Sequence, residues 1–168
     1  MSPKSIKEIL RKLQSTFDYI IVDTTSMFSV LNLALLDMST IVMFLGIVDF
    51  IPTIKNMKIG SDTLKNLSYD KNKLRVILNR NGANTHISVQ DVQKLLGSEF
   101  DFVLPNDFHV ASRSIKTGVP LVLEEADSKL AEGMRALVTR YTGNTSLKEE
   151  EDEPMAESGG GWFSRLFR

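Results

Sequence analysis

The residues best suited to chemistry in this sequence sit at three places where an apolar run gives way to polar side chains. The first is Asp23-Thr24-Thr25-Ser26, one carboxylate and three hydroxyls directly after Tyr19-Ile20-Ile21-Val22. Continuous apolarity with three β-branched residues suits a strand buried on both faces of a parallel sheet. Asp23 would then stand at the carboxyl edge of that sheet, where α/β proteins bind ligands and where a carboxylate can hold a magnesium ion directly or through water. A strand-terminal Asp also caps the loop that follows, and the residues alone leave both roles open. The second place is Asn79-Arg80, after Val76-Ile77-Leu78, and the third is Pro105-Asn106-Asp107, after Phe102-Val103-Leu104. An amide such as that of Asn79 offers both donor and acceptor, although by itself it is more often a turn residue.

Composition removes other chemistries. The chain has no cysteine, which excludes disulfides and thiolate metal sites, and its two histidines, His86 and His109, are too few and too far apart for a zinc site. A net charge of −1 carries no general nucleic-acid footprint, so nucleic acid is not an expected partner. The stretch from Met1 to Leu13 alternates basic residues with Ile and Leu at helical spacing and lacks the apolar region of a signal peptide. The most apolar window, 30–51, contains Asn32, Asp37 and Asp49; burying Asp37 near a bilayer centre would cost about 3 kcal/mol or more. A cytoplasmic protein is the expectation, with peripheral attachment to the inner face of the membrane open.

The elements that must position these residues alternate along the chain. Ile6, Ile9, Leu10 and Leu13 predict an amphipathic helix over 4–15 with a basic outer face, leading into a strand at 18–23. A largely buried helix over 30–36 precedes a strand at 40–45, and residues 50–67 read as a helix with Pro52 in its first turn. A strand at 73–79 follows, then a helix opened by Ser88 with Asp91 three residues on and stopped by Gly97. A strand at 100–104, a helix at 108–116 and a helix at 128–141 complete the pattern. This alternation predicts an α/β fold with a mostly parallel sheet flanked by helices.

In that order, three strand ends resemble the C-terminal half of a MinD/ParA-type P-loop ATPase, most closely the CpaE-like branch associated with pilus assembly. The resemblance covers about residues 5–141. Its carriers are Phe17-Asp18-Tyr19-Ile20-Ile21-Val22-Asp23-Thr24 as a Walker B strand, Val76-Ile77-Leu78-Asn79-Arg80 as the adenine-side strand, Leu104-Pro105-Asn106-Asp107 with Val110 as a second base-side loop, and the run Ser114 to Leu121. It implies ATP and Mg2+ as cofactors, with Asp23 organising the metal through water. It further implies a switch over Thr24, Thr25 and Ser26 that senses the γ-phosphate, and a base pocket from Asn79, Arg80, Pro105, Asn106 and Asp107.

One departure limits the activity. The family holds phosphate on a glycine-rich loop with lysine, and no such loop occurs in this sequence. The expectation is therefore a partial ATPase domain over 1–142, lacking the N-terminal P-loop portion, inactive alone and binding nucleotide weakly or not at all, that pairs with a second copy or with the missing half. Residues 143–161 turn acidic and Gly-rich and read as a flexible linker. Residues 162–168 form a tip in which Trp162, Phe163, Leu166 and Phe167 share one helical face. Each large apolar side chain gains about 1.5–3 kcal/mol on full burial, which favours a docking tip, to a membrane surface or a pilus-assembly protein, over a terminus that is apolar by chance. A non-catalytic interaction module is the alternative to the ATPase reading.

Overall fold

The structure is a computed structural model in which residues 2–48, 51–70, 72–82 and 87–143 are described. The linker and tip, including Trp162, Phe163, Leu166 and Phe167, lie outside them. The chain divides between Phe108 and His109 into two units, each described by itself.

The first unit begins with α1 (Pro3–Gln14), whose N-cap Ser2 accepts a hydrogen bond from the Ser5 N–H and whose last turn carries Arg11 and Lys12 against the helix dipole. Next come α2 (Val30–Met38), β1 (Val42–Gly46), α3 (Ile51–Asn66), β2 (Leu74–Asn81), α4 (Val89–Leu96) and β3 (Phe102–Pro105). Ser88 caps α4 by accepting from the Asp91 N–H, while its hydroxyl meets the Asp91 carboxylate at 2.6 Å, the reciprocal cap expected of that pair. Gly97 ends α4 at φ 66, a left-handed conformation that only glycine adopts without cost.

The three strands form a parallel sheet in the order β1-β2-β3. Val42 pairs with Leu74 and Gly46 with Leu78. The core lies on the face covered by α3 and α4, where Ile54, Met57, Val76, Leu78, Val92 and Leu96 are buried together with Val48. Gly60 lets α3 sit close over β1, since a Cβ there would come within 2.6 Å of the Phe44 ring. At the start of the β2–β3 ladder the Asp101 side chain stands in for backbone: its carboxylate accepts from the Val76 N–H at 2.7 Å, and its own N–H donates to the Val76 carbonyl at 2.8 Å.

One expected strand is absent. Residues 18–25 run without strand pairing, and Phe17, Tyr19, Ile21 and Val22 are all exposed, Ile21 to 96%. The residue types were right for a buried strand, but no described segment lies beside this stretch to complete a hydrogen-bonded ladder, and without one an apolar run has nothing to be buried in. The helix over 30–36 is also less enclosed than its composition suggests: Asn32, Ala34 and Leu35 are buried, but Val30 is exposed.

The second unit holds α5 (Phe108–Thr117), a short α6 (Leu121–Glu124) and α7 (Lys129–Thr142). Arg113 ties α5 to α6 by donating to Glu124 at 3.1 Å and to Glu125 at 2.7 Å. Ser128 caps α7 by accepting from the Ala131 N–H, and Gly143 closes it at φ 67.

Candidate nucleotide-side site

Irregular backbone at the end of β2 begins the site. Between Leu78 and Asn81 the register with β3 slips, as Leu78 pairs with Val103 but Asn81 with Pro105, so β2 carries one extra residue. Arg80 occupies this bulge at φ 59, and the Asn79 side-chain oxygen accepts the Arg80 N–H at 2.9 Å. A bulge re-aims the side chains next to it, and here it turns the end of an otherwise buried strand into a polar rim. The Asn106 N–H donates to the Asn81 carbonyl at 2.7 Å, which brings Pro105-Asn106-Asp107 against the end of β2. The two loops expected to flank a base are therefore neighbours.

A cavity of about 470 Å³ opens at the carboxyl ends of β1 and β2. Asn79, Ser26, Phe28, Thr53 and Asn56 contribute to its wall, along with Phe44 to Ile47 and the α3 residues Met57, Ile59 and Gly60. Its volume lies in the range of small-molecule sites, with an apolar wall and a few polar groups. Among the described residues none of the lining side chains is Lys or Arg. The lining thus suits a planar, partly apolar group with amide and hydroxyl partners, and it offers no cation for phosphate.

The expected switch is held from an unexpected direction. Asn32, buried in α2, donates through Nδ2 to the Thr25 carbonyl at 3.1 Å, the Thr25 hydroxyl at 2.9 Å and the Met27 carbonyl at 2.7 Å. The two N–H bonds of one amide are thus shared among three acceptors that fix the loop. Ser29 then caps α2 by accepting the Asn32 N–H at 3.1 Å. Sequence reasoning did not assign Asn32 a role; the available signal was a lone amide in the apolar run Val30-Leu31-Asn32-Leu33-Ala34. Thr53 and Asn56, on the first turns of α3, were likewise missed.

The sites named from sequence divide accordingly. Ser26 and Asn79 face one cavity, while Arg80, Pro105, Asn106 and Asp107 cluster at the adjoining β2–β3 rim. Thr24 and Asp23 are exposed on the unpaired stretch, and Asp23 does not line the cavity. No group of three or more His, Cys, Asp or Glu able to share a metal ion occurs among the described residues.

Parallel strands alternating with helices in this way are found in solved structures. A ParA family ATPase from Chlorobium tepidum TLS superposes with a TM-score of 0.75 at 18% sequence identity, over 82% of this chain. The fold is that of a ParA-like P-loop NTPase. This chain spans 57% of the length of the Chlorobium tepidum chain. No protein-family model matches the sequence, and no curated protein matches it. No helix among the described residues is long and apolar enough to cross a membrane.

Proposed function

We propose that this chain is the base-recognising portion of a MinD/ParA-type ATPase of the CpaE-like kind, in which ATP-dependent dimerisation controls pilus assembly or attachment at the membrane surface. The observation that carries this reading is the polar cavity at the carboxyl ends of β1 and β2, which Asn79 and Ser26 share, within a ParA-like fold. Asn79 would present its amide to the adenine edge, and the rim of Arg80 and Pro105 to Asp107 would flank the base. Asp23 would bind Mg2+ through water, and Thr24 to Ser26 would respond to the terminal phosphate. ATP with Mg2+ supplies the phosphoryl chemistry when bound. This chain's own residues bind and orient the base, and without a lysine-bearing loop they leave phosphate charge unmatched, so hydrolysis by the chain alone is not expected.

Calorimetric titration with ATP and Mg2+ tests the reading. Weak binding, with a Kd of about 1 mM, weakened further by Asn79→Ala and by Asp23→Ala, is the expected result. Absence of heat at millimolar nucleotide would sink it and favour the second reading, a non-catalytic module that docks to a membrane or a protein. That alternative draws support from the cation-free cavity wall. Its own test is co-sedimentation with anionic vesicles, in which the intact chain should be retained more than one ending at Ser158; equal retention argues against a membrane role for the tip.

A further inference from the structure

The cavity at the ends of β1 and β2 has two kinds of wall. Gly46, Met57, Gly60 and Asn79 belong to strands and a helix that pair and pack. Gly46, Met57 and Gly60 are buried, and a Cβ at Gly46 would overlap the Met57 thioether, so this wall has no slack. Ser26 and Phe28 form the other kind. They stand on residues 24–29, a loop outside any strand or helix and exposed along its whole length.

One side chain fixes that loop. The Thr25 carbonyl that Asn32 holds belongs to the peptide leading into Ser26, and the Met27 carbonyl to the peptide leading into Phe28. Each loop residue that lines the cavity therefore follows a peptide plane held by the same amide. Among the described residues, 24–28 make no hydrogen bond besides those to Asn32. The needs of α2 do not explain this residue. Its Ser29 cap is made through the Asn32 backbone N–H, which every residue except proline supplies. An apolar side chain would fill this buried position, in the run Val30-Leu31-Asn32-Leu33-Ala34, without the cost of desolvating an amide.

We propose that Asn32 is the positioning residue of the cavity: it holds Ser26 and Phe28 opposite Thr53, Asn56 and Asn79, and so couples ligand binding to the first turn of α2. The inference rests on the base-recognising reading of this cavity and deepens it by naming what controls the site. Asn32 does not itself line the cavity. It acts through a loop with two arrangements, anchored while the amide holds both carbonyls and released when it does not. A base that touches Ser26 and Phe28 binds the anchored arrangement, so apparent affinity falls with the anchored fraction. By reciprocity, the bound ligand strengthens the anchor.

The test uses the full chain with ATP and Mg2+ as the probe, followed by NMR shifts at Thr53, Asn56 and Asn79. The unaltered chain should bind with a Kd of about 1 mM. Asn32→Asp keeps the shape of the side chain and loses its donors, and Asn32→Ala removes both. Each variant should raise Kd about tenfold or more at temperatures where it is fully folded. A residue that only supported the fold would lower the thermal midpoint and leave that Kd unchanged. Where a variant does not fold, the unaltered chain decides: with ATP at about ten times Kd, exchange of the Asn32 Nδ2 protons and backbone N–H should slow about tenfold. The inference is overturned if Kd in a folded variant stays within about threefold of the original, or if saturating ATP leaves Nδ2 exchange unchanged. Absence of any shift at about 20 mM ATP sinks the base reading and this inference together. Binding that is insensitive to Asn32 sinks this inference alone.

Discussion

On its inner side β1 meets β2 through five paired residues, and Phe44, partly buried, packs against the core that α3 and α4 cover. On its outer side the same strand pairs with no strand among the described residues, and Met43, Leu45, Ile21 and Val22 remain exposed. Both sides are made of Ile, Val, Leu, Met and Phe, so hydrophobicity does not distinguish them. The difference is whether each backbone has a ladder partner, because an apolar strand is stabilised only where its N–H and C=O groups are satisfied as its side chains leave water. The closed side is a paired layer of an α/β fold, and the open side is an unpaired edge among the described residues.

The contrast can be broken most severely from the closed side. Leu78 is fully buried, and Leu78→Ala should cost about 2–5 kcal/mol in urea unfolding, because its removal leaves a cavity between β2 and the covering helices. A cost under 1 kcal/mol would mean that the core is loosely packed. Asn32→Ala should cost about 1–3 kcal/mol, because it strips the Thr25 and Met27 carbonyls of their donor. Hydrogen exchange should at the same time accelerate over 24–29 and not over β2; uniform acceleration would show that Asn32 supports the whole unit instead of anchoring the loop.

A smaller effect is expected at Tyr69, in the connection between α3 and β2. Burial, the hydrogen bond Tyr69 donates to the Asp37 carboxylate at 2.8 Å, and the charge of that carboxylate together push the Tyr69 phenol up to about 12. Because the folded state favours the protonated phenol, this contribution to stability is complete below pH 10, the ordinary value, and is lost as pH rises through about 12. Tyr69→Phe should therefore flatten the decline of stability with pH in that window; an unchanged slope would exclude Tyr69 as its source. The smallest change is expected at Ile21→Ser, within about 0.5 kcal/mol, since that side chain is 96% exposed. A loss above 2 kcal/mol would place Ile21 inside a core and contradict the open side.

How much of this was legible in the sequence follows from what a residue pattern encodes. The runs at 40–45, 73–79 and 100–104 predicted three strands that form within one or two residues of their expected ends, since each finds a parallel partner in the sheet. The run at 17–23 carries the same signal and forms no strand, because periodicity reports a preference for burial and is silent on whether a partner stands alongside. The rim residues Asn79 and Pro105 to Asp107 were legible as polar strand ends, and the β2–β3 register does bring them together. The bulge at Arg80, the Asp101 carboxylate that completes a ladder and the Asn32 clamp were not legible. Each depends on contacts between elements that no local pattern specifies.

The central claim, that one side of β1 is complete and the other is open, is tested most directly by residue-resolved amide exchange on the chain alone at low concentration. Exchange should be slow at Ile77 and Leu78, which lie inside the ladders, and near the rate of unstructured peptide at Met43, Leu45 and throughout 19–23. Protection of 19–23 equal to that of Ile77 and Leu78 would contradict it.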